Sequence, residues 1–200
     1  MRTRLISFIV AGFLIGALAG AAILLVTTPH GGQPVQSSGT ALVGGPFSLT
    51  GADGKTVTDA DFRGRYMLIF FGFTHCPDIC PAELQVIAQA LENLGDKGKT
   101  VAPVFITLDP ERDTPQVMAE YVKSFGPNFV GLTGSPEAIA AAATAYRVAY
   151  AKVENKESAG DYSVDHSGLV YLMDREGRYV THFSYGTSAK EMAEKLGKVL

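Results

Sequence analysis

Residues 70–84, FFGFTHCPDICPAEL, constrain this chain more than any other stretch. They hold both of its cysteines, Cys76 and Cys80, each followed by a proline and set between an apolar run and an amphipathic one. The run before them, residues 66–71 (YMLIFF), is almost continuously apolar, as expected of a central strand covered on both faces. Past the cysteines, Pro81 suits a first helical position, and Leu84, Ile87, Leu91 and Leu94 recur at helical spacing up to Gly95. The stretch reads as a strand, a turn and a helix start that together present two thiols. A thiolate is favoured at a helix N-terminus, where N–H groups lack partners. Pro77 and Pro81 bias the residues before them away from helical dihedrals, so both cysteines are expected on the turn with their sulfurs facing a shared point.

The rest of the domain, residues 46–200, supplies the frame. Residues 47–50 and 56–58 flank Gly51-Ala52-Asp53-Gly54 and predict a small N-terminal hairpin. Residues 100–108 (TVAPVFITL) predict the next strand, with Pro103 an objection to a central place in a sheet. Thr114 as N-cap and Pro115 at the first helical position open a second helix with Met118, Tyr121, Val122 and Phe125 on one face. Ser135-Pro136-Glu137 repeats that opening for an alanine-rich helix ending near Tyr146. Residues 147–153 are expected to be extended and 154–163 to form a polar loop. Residues 169–173 and 178–184 form an antiparallel hairpin around Asp174-Arg175-Glu176-Gly177. Ser188 and Glu191 then form a capping box for a last helix. This alternation of strands and helices, closed by a hairpin and a helix, is the element order of a thioredoxin-like α/β sandwich.

Three residues separate the cysteines, one more than in the C-x-x-C of dithiol oxidoreductases, and the longer loop leaves room for an ion between the sulfurs. Two thiolates make an incomplete site. Among the histidines, His166 precedes a predicted strand, and in a thioredoxin-like fold the loop entering that strand abuts the thiol turn. His166 is therefore the best third ligand, with Asp165 placed to orient its imidazole. His75, adjacent to Cys76, suits a turn role, His182 a surface position in a strand, and His30 a solvated linker. Two thiolates and one imidazole form a soft set that suits Cu(I) and accommodates Cu(II) with a further weak ligand. Structural zinc would want four protein ligands.

The N-terminus adds an address. After a cytoplasmic tail, residues 1–4, with Arg2 and Arg4, residues 5–26 carry no charge for about 22 positions, enough to cross roughly 30 Å of hydrocarbon. They read as a single transmembrane helix. The two arginines in front keep the tail inside and put the domain outside, in an oxidising compartment. Ala17-Leu18-Ala19 resembles a signal-peptidase site, but the apolar run continues past it, which favours an uncleaved anchor. The short tail, with no arginine-rich presequence, points to a bacterial inner membrane with the C-terminal domain in the periplasm. Residues 27–45 are a flexible linker rich in Gly, Ser, Thr and Gln. Net charge is -3, so no basic surplus exists to neutralise phosphates, and nucleic-acid binding is excluded.

Three motifs in order, residues 70–84, then LDPERDTP at 108–115, then VDHSGLVYLMDREGR at 164–178, resemble the Sco (SenC) family of membrane-anchored copper chaperones. The resemblance implies a thioredoxin-like domain that binds copper through Cys76, Cys80 and His166, with Asp78 and Asp165 near the metal. It implies service to the binuclear copper site of cytochrome c oxidase subunit II, alongside other copper chaperones or thiol reductants. It also implies an alternative, a thiol-disulfide oxidoreductase that reduces the cysteines of that copper site. That activity needs Cys76 and Cys80 and has no need of His166. A peroxidase on the same fold is disfavoured, because Phe73 and Pro77 stand three residues before the cysteines where peroxiredoxin-like sites have threonine.

Overall fold

A computed structural model describes residues 43–154 and 162–200. The expected membrane anchor and most of the linker lie outside the described residues, and among those described no helix is long and apolar enough to cross a membrane. The described chain carries strands β1 (Ser48–Thr50), β2 (Thr56–Thr58), β3 (Tyr66–Gly72), β4 (Val101–Thr107), β5 (Val130–Leu132), β6 (Tyr150–Glu154), β7 (Tyr162–His166), β8 (Leu169–Met173) and β9 (Tyr179–Ser184). Its helices are α1 (Ile79–Asn93), α2 (Pro115–Lys123), α3 (Pro136–Ala145) and α4 (Ala189–Gly197).

The main sheet has the order β5-β4-β3-β8-β9, parallel across β5, β4 and β3 and antiparallel beyond. This is the mixed α/β thioredoxin-like architecture that the element order predicts. β3 lies at its centre, and from Met67 to Gly72 it is buried throughout, which accounts for its unbroken apolar sequence. Its side chains alternate between two cores. Phe70 packs near Phe105, with ring centroids 5.9 Å apart, and Phe71 meets Tyr146 and Tyr171. The expected N-terminal hairpin is β1–β2.

Several elements differ from the sequence reading, each for a local reason. Pro103 sits in β4, but pairing with β5 begins only at Val104, so the proline stands where β4 has a single neighbour. β5 escapes prediction because three residues carry no periodicity. Arg147 is not extended: it adopts φ 59, Val148 N–H donates to Ala143 C=O and Arg147 N–H to Thr144 C=O, so α3 ends in a Schellman turn. Residues 162–166, expected partly as loop, form β7. Its alternation of Tyr162 and Val164 with Ser163 and Asp165 is masked by overall polarity. At α4 the Ser188 hydroxyl accepts from Glu191 N–H as expected, whereas the Glu191 carboxylate goes to Lys195, 2.9 Å away.

Helix α1 turns Cys80, Glu83, Leu84, Ile87 and Ala90 inward and packs on α4. Glu83 is the odd member of that stripe: it is 2% exposed, and its Oε1 has no hydrogen-bond partner among the described residues. Burial pushes its carboxyl up to about 7. A raised native pKa means that the group's favourable contribution is complete below its ordinary 4.5 and is lost as pH rises through 7. The isosteric Glu83→Gln variant has no such loss. Its stability relative to the parent, measured by urea unfolding, should therefore rise between pH 4.5 and 8, by about 1–3 kcal/mol.

Candidate metal centre

The centre is built where β3 delivers the chain into α1. The helix begins at Ile79, two residues earlier than the sequence suggests, with Asp78 as its exposed N-cap residue. Pro81 is thus the third helical residue. It costs no bond there, because the first-turn N–H groups have no acceptor within the helix. Cys80 consequently lies in the first helical turn and not on the loop. Cys76 stays on the loop, and its sulfur accepts the Cys80 N–H at 3.4 Å, filling one of the helix's vacant donor positions. Gly72 lets the helix come close: a Cβ at that position would stand 2.7 Å from Cys80 Sγ and 2.9 Å from the Phe105 ring.

His166 approaches from the end of β7. Its Nε2 is 3.6 Å from Cys80 Sγ, and its ring stands edge-on to Phe70 and Phe73 at 6.0 and 6.2 Å. The ring's Nδ1 lies 3.2 Å from the Ser167 carbonyl, which can only accept, so Nδ1 carries the proton and the Nε2 lone pair faces the sulfur. Orientation of the imidazole therefore comes from Ser167. Asp165 is exposed and acts on His166 through its charge alone. Burial holds the His166 pKa below its ordinary 6.5, against the opposing pull of Ser167 and Asp165, so the ring is neutral at pH 7.

The two thiols are unequal. Cys80 is fully buried and Cys76 partly exposed, and both are free. Burial raises the Cys80 thiol well above the ordinary cysteine range, the neighbouring Cys76 adds to the effect, and a backbone bond from Phe73 only partly offsets it. The donor geometry suits a small soft ion. A sulfur about 2.3 Å and an imidazole nitrogen about 2.05 Å from one metal, at tetrahedral to trigonal angles, lie about 3.6–3.8 Å apart. The Cys80–His166 separation already meets that requirement. Among the described residues no three His, Cys, Asp or Glu side chains converge on one point.

Other residues hold the centre together, and the sequence reading assigned them no role. Buried Asp113 accepts from Thr74 N–H (3.0 Å), from the Thr74 hydroxyl (2.5 Å) and from the Thr107 hydroxyl (2.6 Å), tying the thiol turn to β4. His75 Nδ1 lies 3.1 Å from the Thr74 hydroxyl and 3.8 Å from Asp113, in keeping with a turn role. Buried Asp109 accepts from the Tyr162 hydroxyl at 2.6 Å and from Arg112. His182 lies away from the centre, exposed on β9, with Nδ1 2.6 Å from the Tyr179 hydroxyl.

A thioredoxin-like sandwich with two thiols at a helix start and an imidazole opposite them defines a class of thiol- and metal-handling domains. Comparison with known proteins narrows it: the SCO1/SenC family model matches residues 35–200, and the chain belongs to that family. It is 51% identical over 74% of its length to the mitochondrial SCO1 homolog 1 of Arabidopsis thaliana, covering 44% of that protein. It is 41% identical over 93% of its length to a SCO2-like protein of Rickettsia prowazekii, covering 92% of it. The structure of Bradyrhizobium japonicum ScoI with copper bound superimposes with a TM-score of 0.72 at 47% identity, over 79% of this chain and 99% of that one.

Two outcomes follow from this geometry. Asp113→Ala strands three donors inside the protein and should cost about 3 kcal/mol or more, measured by chemical denaturation. In the reduced chain at pH 7, iodoacetamide should label Cys76 about tenfold faster than Cys80, with the Cys80 rate climbing above pH 9, as read by mass spectrometry.

Proposed function

We propose that this protein is a membrane-anchored copper chaperone. It holds copper through Cys76, Cys80 and His166 and assists assembly of the copper site of cytochrome c oxidase subunit II. The observation that carries the reading is the 3.6 Å approach of His166 Nε2 to Cys80 Sγ, with the nitrogen lone pair turned to the sulfur. Dithiol exchange proceeds with the two sulfurs alone, whereas a three-donor copper site needs that imidazole as a ligand. The relative from Bradyrhizobium japonicum, whose structure has copper bound, supports copper as the ion.

Copper here is cargo, and the residues do the handling. Cys80 supplies a buried thiolate once its proton leaves, Cys76 a thiolate within a partner's reach, and His166 a neutral nitrogen whose tautomer Ser167 fixes. With Cys76 the one partly exposed sulfur of the two, an ion on this set would be open to a partner's ligands on the Cys76 side, which suits delivery better than storage. Asp78 and Asp165, both exposed, put negative charge beside that opening. The exported position, on an anchor over residues 5–26 in a bacterial inner membrane, brings the domain to the face where oxidase copper sites are built.

One feature favours a second use of the same thiols. A partly exposed cysteine at a helix N-terminus beside a buried one is the arrangement of an attacking and a resolving thiol. In that exchange Cys76 attacks a partner disulfide and Cys80 displaces it. The partner leaves with two thiols, and the Cys76–Cys80 disulfide retains the oxidation. One substitution separates the two uses. His166→Ala in the full-length reduced chain should weaken Cu(I) binding by about tenfold or more in competition with a chromophoric chelator, while the cysteine pair remains oxidisable. Undiminished copper affinity in that variant would overturn the ligand assignment.

A further inference from the structure

The hairpin that brings His166 to the thiols is weakly attached to the rest of the domain. β6 and β7 form a two-stranded sheet of their own, β6 is exposed along its whole length, and Val164 is the one residue of β7 that is buried. So small an apolar footing does not fix a side chain to a fraction of an ångström, which a metal site needs. The polar attachment is concentrated at the far end of β7, around Arg112. Its Nη1 donates to the Tyr162 carbonyl at 3.1 Å, and its guanidinium lies 3.8 Å from the centre of the Tyr162 ring. Its other neighbour is the thiol turn, where the Phe73 ring centre is 5.9 Å away. Its Nε is bonded to buried Asp109, which also takes the Tyr162 hydroxyl at 2.6 Å. Phe73 in turn stands edge-on to His166.

We propose that Arg112 is a positioning residue for copper: anchored by Asp109, it latches the His166-bearing hairpin, through Tyr162, to the thiol turn, through Phe73. This rests on the copper reading above and deepens it. The planar fork of a guanidinium can bond a carbonyl and a carboxylate while stacking on a ring, and lysine cannot reproduce that combination. Tyr162 lies four residues from His166 along an extended strand, about 13 Å, so slack at the tyrosine end becomes displacement at the histidine. Lys152 adds an outer tie, bonding Glu111 at 2.7 Å with its ammonium 4.7 Å from the Tyr162 ring centre. The loop between β4 and α2 thus grips both strands of the hairpin.

The test is a double-mutant cycle in the full-length reduced chain, with Cu(I) as probe and a chromophoric chelator as competitor. Arg112→Gln, and the milder Tyr162→Phe, should each lower Cu(I) affinity, the first by about 10- to 100-fold. In the His166→Ala background the same substitutions should change affinity less than about twofold, because the latch acts only through that histidine. An equal loss in both backgrounds would show a general structural effect and overturn the proposal. Parent-level affinity in Arg112→Gln, with affinity lost in His166→Ala, overturns the latch and leaves the ligand assignment standing. Parent-level affinity in His166→Ala overturns both. If Arg112→Gln does not fold, Tyr162→Phe, which keeps the ring and removes one hydroxyl, decides the matter by the same criteria.

Discussion

A carboxylate without access to solvent must find donors for its lone pairs, and Asp113 finds three, two of them on Thr74. Thr74 stands two residues before Cys76, and Thr107 ends β4, so this one buried group fixes the thiol turn to the central sheet. Thr107 passes the link on, since its hydroxyl accepts the Asp109 N–H at 2.9 Å. Asp109 reaches Tyr162 on the strand that carries His166. A chain of buried polar contacts therefore runs from the cysteine turn, under the end of β4, to the histidine hairpin. Such a network is costly when incomplete, which makes it specific when satisfied.

The apolar frame does a different job. β3 and β4 place the ends of two parallel strands side by side, where open α/β sheets present their sites. Gly72 allows Cys80 to press against the strand, and Phe70 and Phe73 wall the imidazole on two sides. Burial of Cys80 and His166 is then a consequence of core packing, and it sets their charge states. Neutral thiol and neutral imidazole are the forms that an apolar wall favours.

Much of this was legible in sequence because it was written in periodicity and punctuation. The unbroken apolar run of β3, the Thr114-Pro115 and Ser135-Pro136 helix starts and the glycine turns each state a local preference that the fold obeys. The helix starts at Ile79, two residues before the position that Pro81 suggests, because proline signals a first turn without fixing which residue of that turn it is. β7 was hidden because a half-exposed strand of mixed polarity resembles a loop. The roles of Asp109, Asp113 and Arg112 could not be read from one sequence: the partners that tie them to the centre are distant, Thr74 39 positions from Asp113 and Tyr162 53 from Asp109, and nothing in the spacing of LDPERDTP names either. The approach of His166 to Cys80, 86 positions apart, was inferred only through the topology of the fold.

The protonation of Cys80 links the structure to its chemistry. An ion held by both sulfurs, or a disulfide between them, must displace a proton from a thiol that burial keeps protonated at neutral pH. With copper held as proposed, metal binding and oxidation would draw on the same thiol and exclude one another. The imidazole breaks that symmetry, because a neutral Nε2 beside the sulfur can take up the departing proton in one case and become a ligand in the other. Any displacement of β7 that withdraws His166 would therefore weaken metal binding more than oxidation. With the ligands proposed above, control over the balance between the two would lie in the hairpin and the buried carboxylates behind it, at a distance from the thiols themselves.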